Sequence, residues 1–220
     1  HRGSYSLPNS RHQFRDWKKG GHGTVDLRKS IAQSCDIYYY RLAVDMGIDR
    51  MHDYLAQFGL GEKTGIDLEG ESAGLLPSRE WKQRRFKQAW YPGETVIAGI
   101  GQGFHLTTPL QLAVATAMLA NGGKRIEPRL VQAVRDPLTN VWQPLPAATK
   151  GQLAFDPGNL QAVREGMIAV TSPGGTASRA AAGAPYTIAG KTGTAQVVGI
   201  KQGARYDASR LARKHLDHAL

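Results

Sequence analysis

The order in which helical and strand-like patterns follow one another constrains the fold of this chain most. Apolar residues recur at helical spacing between Thr24 and Gly47, and residues 107–119 form an alanine-rich apolar run that opens with Thr-Thr-Pro. Strand-like patterns come later, at residues 129–135, 186–189 and 194–200. Because helices precede strands and do not alternate with them, we predict an α+β fold, with α/β as the alternative.

Turn residues and shorter patterns divide the rest of the chain. A break near Ser34 would split the first helical region into two helices. Further helices are expected at residues 49–58, 79–86, 159–170 and 205–220. Loop-like segments are expected at residues 1–23, at 60–105 outside the helix at 79–86, and at 136–155. The 220 residues are therefore expected to form one large domain or much of one.

The chain is basic and has no membrane-spanning pattern. It carries 28 Lys and Arg against 18 Asp and Glu, which gives a net charge of +10. Such a charge fits a basic surface or attraction to an anionic partner. The densest basic clusters, at residues 84–87 and 210–214, lie in no nucleic-acid-binding motif, so we predict no nucleic-acid partner. The most apolar segment, residues 110–120, is shorter than the ~20 residues that span a bilayer.

Lys191-Thr192-Gly193-Thr194 is the first of three short motifs that could carry chemistry. An ammonium, two hydroxyls and a glycine that admits a ligand to the backbone suit a substrate that bears a carboxylate. A nucleotide-binding Walker A loop is excluded, because its first glycine would fall on Pro185. Taken alone, the tetrapeptide is more often an ordinary exposed strand with a turn.

The other two motifs lie earlier in the chain. Ser34-Cys35-Asp36 places a hydroxyl and a carboxylate two residues apart, where they could pass a proton and orient a substrate amide. A polar helix turn is the alternative. Residues 99–103 read Gly-Ile-Gly-Gln-Gly and lead into the Thr-Thr-Pro-Leu-Gln start of the apolar run. A flexible loop explains this segment as well, and a phosphate cradle is disfavoured because no strand leads into it.

Together and in this order, the three motifs resemble those of the penicilloyl-serine transferases, which use S-x-x-K, then S-x-N or S-x-D, then K-[S/T]-G. The Gly-Gln-Gly segment and the helix after it resemble the penicillin-binding proteins more than the β-lactamases. Further segments resemble the penicillin-binding protein 2 group, class B D,D-transpeptidases of the elongation machinery of Gram-negative rods: residues 15–19, 21–23, 46–50, 64–68 and 79–82. The resemblance covers essentially the whole chain. It implies an α+β fold in which a helical subdomain accompanies an antiparallel sheet.

The resemblance also implies a reaction and roles for individual residues. The reaction is acyl transfer on the D-alanyl-D-alanine end of a peptidoglycan stem peptide, through a serine acyl-enzyme that β-lactams trap. Ser34 would relay a proton to the leaving D-alanine, helped by Asp36, where other members carry Asn. Lys191 would supply positive potential near Ser34. The implied substrate-binding residues are Thr192, Gly193 and Thr194.

One motif of this family has no counterpart in the chain. No serine is followed by a lysine three positions on: Ser30 is followed by Gln33 and Ser34 by Ile37. We therefore expect residues 1–220 to be a partial transpeptidase domain that lacks the S-x-x-K segment and the family's C-terminal strands and helix. Such a fragment is expected to be inactive and poorly stable by itself, because an incomplete sheet exposes unpaired strand edges.

Asp16, His22 and Cys35 follow one another at the spacing D-x5-H-x12-C. Carboxylate, imidazole and thiolate all bind zinc, and a structural zinc site has four ligands. From spacing alone, a buried free cysteine beside a surface histidine is the alternative. The penicillin-binding protein 2 group resembles this pattern and has a further Asp fifteen residues before the first, where this chain has His1. The resemblance thus implies a structural zinc at these residues, with His12 as a competing ligand.

Partners and location are implied by the resemblance alone. It implies peptidoglycan stem peptides and β-lactams as ligands and membrane proteins of the elongation machinery, such as a glycosyltransferase, as partners. It also implies a periplasmic domain anchored in the inner membrane of a Gram-negative bacterium, with a role in rod shape. Two other classes stay open. One is a D,D-carboxypeptidase or β-lactamase relative with the same three motifs, and the other is a non-catalytic β-lactam sensor or scaffold.

Overall fold

The computed structural model describes residues 2–195, 209, 212–213 and 216–219. The helices in this part of the chain are α1 (Leu27–Ala32), α2 (Asp36–Met46), α3 (Ile48–Ala56), α4 (Arg79–Phe86), α5 (Pro92–Ala98), α6 (Pro109–Asn121) and α7 (Pro157–Thr171). The strands are β1 (Ser4–Tyr5), β2 (Phe14–Arg15), β3 (Lys124–Ile126), β4 (Ala133–Arg135), β5 (Trp142–Pro144), β6 (Thr149–Gln152), β7 (Thr194–Ala195) and β8 (His218–Ala219). All the strand pairs are antiparallel: β1–β2, β3–β6, β4–β5 and β7–β8. Helices with antiparallel pairs confirm the α+β prediction.

The chain divides into two compact units. Unit 1 comprises residues 1–6, 12–38 and 162–220, and unit 2 comprises residues 7–11 and 39–161. Unit 1 therefore holds α1, most of α7, and the β1–β2 and β7–β8 pairs. Unit 2 holds α3 to α6 and the β3–β6 and β4–β5 pairs. The Ser34 and Lys191 motifs both belong to unit 1, whereas the glycine-rich segment at 99–103 belongs to unit 2.

A short turn that carries Ser34 separates α1 from α2. Asp26 caps α1 by accepting a hydrogen bond from the Lys29 N–H at 2.7 Å. The helix ends at Ala32, and Ser34 then adopts a left-handed conformation with φ 51°. This conformation is uncommon for a residue with a Cβ, and it interrupts the helix. The predicted break near Ser34 is confirmed.

Helix α7 lies against α1 and holds the segment that precedes Lys191. A Cβ on Gly166 would come within 2.7 Å of the Ile31 Cδ1 atom, so a glycine at this position allows the two helices to approach closely. The Gly190 N–H donates to the Met167 carbonyl at 3.1 Å. Helix α7 therefore contacts both α1, which precedes Ser34, and the backbone that precedes Lys191.

The hydrophobic core of unit 2 is formed by residues that follow α3, precede α4 or belong to α6. Its buried members are Phe58, Leu60, Leu76 and Met118. The ring of Phe155 packs on Phe58 with 5.8 Å between centroids. Each large apolar side chain buried in this way contributes roughly 1.5–3 kcal/mol. Burial of apolar surface around α6 therefore fixes the position of this helix within unit 2.

Helix α6 begins with a capping box whose glutamine also fastens a distant loop. The Thr108 hydroxyl accepts from the Gln111 N–H, and the Gln111 Oε1 accepts from the Thr108 N–H at 2.9 Å. The Gln111 Nε2 donates to the Glu62 carbonyl at 2.7 Å and to the Ala73 carbonyl at 2.8 Å. The helix start predicted from Thr-Thr-Pro is confirmed. With 13 residues α6 is short, and no helix in the described residues is both long and apolar enough to cross a membrane.

Gln111→Met is expected to lower the free energy of unfolding by about 2–3 kcal/mol, because it leaves buried backbone groups without their hydrogen bonds. Chemical denaturation of the full-length protein that contains this chain measures the change. Gln132→Met, at an exposed position beside β4, is the matched control and is expected to change stability by less than about 0.5 kcal/mol. Equal stability of the two variants would contradict the anchoring role of Gln111.

Three segments predicted to be loops contain regular structure. Residues 1–23 include the β1–β2 hairpin, and residues 136–155 include β5 and β6. Residues 92–98 form α5, which begins with Pro92 and a capping box at Glu94. Strands of two to four residues depend on the pairing partner more than on local pattern, which explains why the sequence did not indicate them.

Two predicted strands and the last predicted helix differ from the structure. The strand expected at 129–135 is limited to β4, and residues 186–189 form no strand. Within the helix expected at 205–220, residues 218–219 instead form β8 and pair with β7. Strand residues 196–200 and most of the rest of 205–220 lie outside the described residues.

Candidate functional site

Lys191 and Ser34, which are 157 residues apart in sequence, meet in unit 1. The Lys191 Nζ donates to the Ser34 Oγ at 2.8 Å and to the Thr192 carbonyl at 2.8 Å. Desolvation lowers the pKa of Lys191, and the Asp36 carboxylate opposes this shift. Because the ammonium donates to the Ser34 oxygen, the hydroxyl proton of Ser34 is available to an acceptor on a bound molecule. The Ser34 hydroxyl, held by Lys191, can therefore donate a proton to a leaving group.

Asp36 begins α2 and contacts the loop that follows β2. Its Oδ2 accepts a hydrogen bond from the backbone N–H of Trp17 at 3.2 Å. Burial raises the pKa of the Asp36 carboxyl to about 6, and the neighbouring Asp16 carboxylate acts in the same direction. The structure thus places Asp36 next to Ser34 but connects its carboxylate to the loop of Asp16 and Trp17.

The three residues after Lys191 present polar groups to solvent. The Thr192 Oγ1 lies 2.9 Å from the Thr176 Oγ1, in a hydrogen bond that either hydroxyl can donate. Gly193 and Thr194 are exposed, and Thr194 pairs with Ala219 in the β7–β8 ladder. A ligand carboxylate can therefore reach this segment from solvent, at one side of the Lys191 ammonium.

Asp16, His22 and Cys35 form a buried cluster of donor atoms. One carboxylate oxygen, one imidazole nitrogen and the thiol sulfur all lie within 4.8 Å of one another. All three residues are buried, and Cys35 is fully so. Burial raises the pKa of the Cys35 thiol, and the Asp16 and Asp36 carboxylates act in the same direction. A bound cation would offset the negative charge that collects at this position.

The hydrogen bonds of His22 fit a metal ligand. Its Nδ1 lies 3.0 Å from the Gln33 Oε1, and its Nε2 lies 3.1 Å from the Asp16 Oδ1. The other oxygen, Asp16 Oδ2, is buried and has no hydrogen-bond partner among the described residues. A carboxylate oxygen, an imidazole nitrogen and a thiol that converge in this way suit a bound cation, with Gln33 orienting the imidazole.

The structure does not bring every predicted site residue to these positions. His1 lies outside the described residues. His12 is exposed, stacks edge-on against Phe14 at 4.6 Å and is not among the clustered donors. The glycine-rich segment at 99–103 follows α5 in unit 2, and its glycines 101 and 103 have positive φ.

Three residues at the site were not indicated by sequence reasoning. Trp17 contacts the backbone around Ser34, Gln33 orients His22, and Thr176 contacts Thr192. Trp17 lies in the family-like segment at residues 15–19, beside Asp16, and Gln33 is adjacent to Ser34, but the sequence assigned neither residue a role. Thr176 lies in a glycine-rich turn after α7 and carried none.

Comparison with protein families agrees with the geometry. The family model described as the penicillin binding protein transpeptidase domain matches residues 3–212. This match covers most of unit 1 and all of unit 2 and includes the Ser34 and Lys191 motifs.

Individual proteins show the same similarity. The chain is 46% identical over 222 aligned positions to the peptidoglycan D,D-transpeptidase MrdA of Acinetobacter baumannii, an alignment that covers 99% of this chain and 32% of that protein. It resembles Pseudomonas aeruginosa PBP2 in complex with WCK 5153, with a TM-score of 0.81, 44% identity, and coverage of 89% and 44%. It also resembles PBP2 of Helicobacter pylori in complex with MreC, with a TM-score of 0.79, 35% identity, and coverage of 99% and 36%. The chain spans about a third of the length of the curated relative.

Proposed function

This chain belongs to the penicillin-binding protein transpeptidase family, and we propose that the protein containing it is a peptidoglycan D,D-transpeptidase. The reaction cross-links stem peptides through a serine acyl-enzyme that β-lactams trap. The observation that carries the proposal is the 2.8 Å hydrogen bond from Lys191 to Ser34, which joins the two family motifs at one point.

Ser34 and Lys191 act on the leaving group in this proposal. When a serine nucleophile attacks the penultimate carbonyl of the stem peptide, the terminal D-alanine leaves as an amine that needs a proton. The lysine that deprotonates the attacking serine passes this proton to Ser34, whose hydroxyl relays a proton to the leaving amine while the Lys191 ammonium stabilises its oxygen. Asp36 supports the turn from the α2 side through its contact with the Trp17 N–H.

The residues after Lys191 hold the substrate. The hydroxyls of Thr192 and Thr194 receive the terminal carboxylate of the D-alanine, and Gly193 leaves space for it beside the backbone. The Thr194 N–H contributes to the oxyanion hole, where one donor is worth about 3–4 kcal/mol of transition-state stabilisation. The acylating serine lies elsewhere in the protein in this proposal, because no serine of the chain has a lysine three positions on.

We also propose that Asp16, His22 and Cys35 hold a structural zinc ion. Support comes from the buried donors within 4.8 Å and from the unpartnered Asp16 Oδ2. The ion would have a structural role and would take no part in the reaction. It holds the loop after β2 against the turn that carries Ser34 and Asp36. His1 is the proposed fourth ligand.

Ligands and partners follow from the same proposal. Stem peptides and β-lactams bind at the Ser34–Lys191 site. Because the Helicobacter pylori relative forms a complex with MreC, we propose membrane proteins of the elongation machinery as partners, a glycosyltransferase among them. The protein is then anchored in the inner membrane, with this domain in the periplasm of a Gram-negative bacterium.

Incubation of the full-length protein with a stem pentapeptide donor and an acceptor peptide tests the proposed reaction. We expect a cross-linked dimer by mass spectrometry, with one D-alanine released per bond. Release of D-alanine without a dimer, or rapid penicillin turnover, would favour the hypothesis of a carboxypeptidase or β-lactamase relative. Binding of β-lactam with no peptide product would favour the hypothesis of a non-catalytic sensor.

A further inference from the structure

Trp17 donates three hydrogen bonds to residues at the turn that carries Ser34, although the sequence assigned it no role. Its indole Nε1–H donates to the Ser34 carbonyl at 2.9 Å and to the Gln33 carbonyl at 3.1 Å. Its backbone N–H donates to the Asp36 Oδ2 at 3.2 Å. The ring meets His22 edge-on, with 5.5 Å between centroids. One residue thus contacts the turn at Gln33, Ser34 and Asp36.

The turn needs such support because of its conformation. Ser34 has φ 51°, a left-handed conformation that is disfavoured for a residue with a side chain and persists only where surrounding contacts hold it. The carbonyls of Gln33 and Ser34 follow the last turn of α1, where backbone acceptors lack helical partners. The Trp17 indole supplies a donor to both. The backbone contact of Cys35 N–H to the Ser30 carbonyl, at 3.0 Å, supports the turn from the other side.

Packing alone does not account for Trp17. Its side chain and backbone are 60% exposed, so its ring buries little apolar surface. A phenylalanine would keep the edge contact with His22 and would lose the donor. The ring nitrogen is therefore the part of Trp17 that the turn uses.

We propose that Trp17 is a positioning residue for Ser34. Its indole N–H binds the carbonyls of Gln33 and Ser34 and holds the turn in the left-handed conformation in which the Ser34 hydroxyl meets the Lys191 ammonium. The expected effect of Trp17 on acylation rests on the proposed function. The stabilisation of the turn by Trp17 does not depend on that function.

Trp17→Phe in the full-length protein tests the inference. We expect the maximum rate of acylation by benzylpenicillin to fall about fivefold, which corresponds to one lost net hydrogen bond. The penicillin concentration that gives half of this rate is expected to stay within about twofold, because Trp17 acts through Ser34. Amide hydrogen exchange at Cys35 is expected to accelerate, since its N–H reports on the turn. Melting temperature and bound zinc are expected to stay unchanged.

Trp142→Phe is the matched control, because Trp142 is 64% exposed on β5 in unit 2. It is expected to leave acylation and exchange at Cys35 as in the unsubstituted protein. Wild-type acylation and exchange in Trp17→Phe would overturn the inference, and so would a rate loss that follows zinc loss or unfolding. If the unsubstituted protein forms no adduct, the proposed function fails, while exchange at Cys35 still decides whether Trp17 holds the turn.

Discussion

Lys191→Ala in the full-length protein is expected to slow β-lactam acylation by roughly 10²–10⁴-fold, the range found when a positioned proton-transfer group is removed. The ammonium lies 2.8 Å from the Ser34 oxygen, so its loss leaves the proton relay without its cation. Stopped-flow or labelled-penicillin kinetics measure the rate. Thermal unfolding is expected to change little, because the two hydrogen bonds of the Lys191 side chain lie at a solvent-exposed position.

Lys63→Ala is the matched control for the charge change. Lys63 is also an exposed lysine, lies in unit 2 and has no predicted role at the site. Its replacement is expected to leave the acylation rate within about twofold of the unsubstituted protein, as for a surface position away from the site. An acylation rate in Lys191→Ala equal to that of Lys63→Ala would remove Lys191 from the mechanism.

Cys35→Ala is expected to abolish zinc binding and to lower stability. The thiol lies with the Asp16 and His22 donors inside 4.8 Å, and its loss leaves fewer ligands than the four that a structural zinc site uses. Zinc measured by plasma mass spectrometry is expected to fall from about one ion per chain to below about a tenth. If free zinc exceeds the dissociation constant about 1,000-fold, the loss of binding corresponds to about 4 kcal/mol of unfolding free energy.

His12→Ala separates this site from the competing one. Because His12 is exposed and stacks on Phe14, it is expected to keep full zinc content and near-normal stability. A chelator that strips zinc from the unsubstituted protein is expected to lower its melting temperature toward that of Cys35→Ala. Equal zinc content in Cys35→Ala and the unsubstituted protein would contradict the metal proposal.

Local chemistry explains which elements could be predicted from sequence. Helix α6 was predicted correctly at its start because Thr108, Pro109 and Gln111 carry the signals of capping within four residues. Helix α4 was predicted at its observed bounds, and the structure shows Ser78 as its cap. The short strands were missed because a pair such as β3–β6 joins residues from opposite ends of a segment, and no local pattern marks it.

The residues of the candidate site likewise differ in how far local sequence could predict their positions. The spacing of Asp16, His22 and Cys35 suggested a cluster, and the structure places these three donors together. The hydrogen bond between Lys191 and Ser34 joins residues 157 positions apart, so it could be anticipated from a family resemblance but not from periodicity. The contact of the Trp17 indole with the Ser34 carbonyl depends on the left-handed conformation of Ser34. Serine has no preference for this conformation, so the sequence could not predict it.

The intact mass of the full-length protein after brief exposure to benzylpenicillin tests whether the protein is a penicillin-acylated transpeptidase. We expect one covalent adduct per chain, formed on a serine outside residues 1–220 and formed far more slowly in Lys191→Ala. No adduct on the unsubstituted protein would contradict the assignment as a penicillin-acylated transpeptidase. An adduct on a serine within residues 1–220 would contradict the placement of the nucleophile.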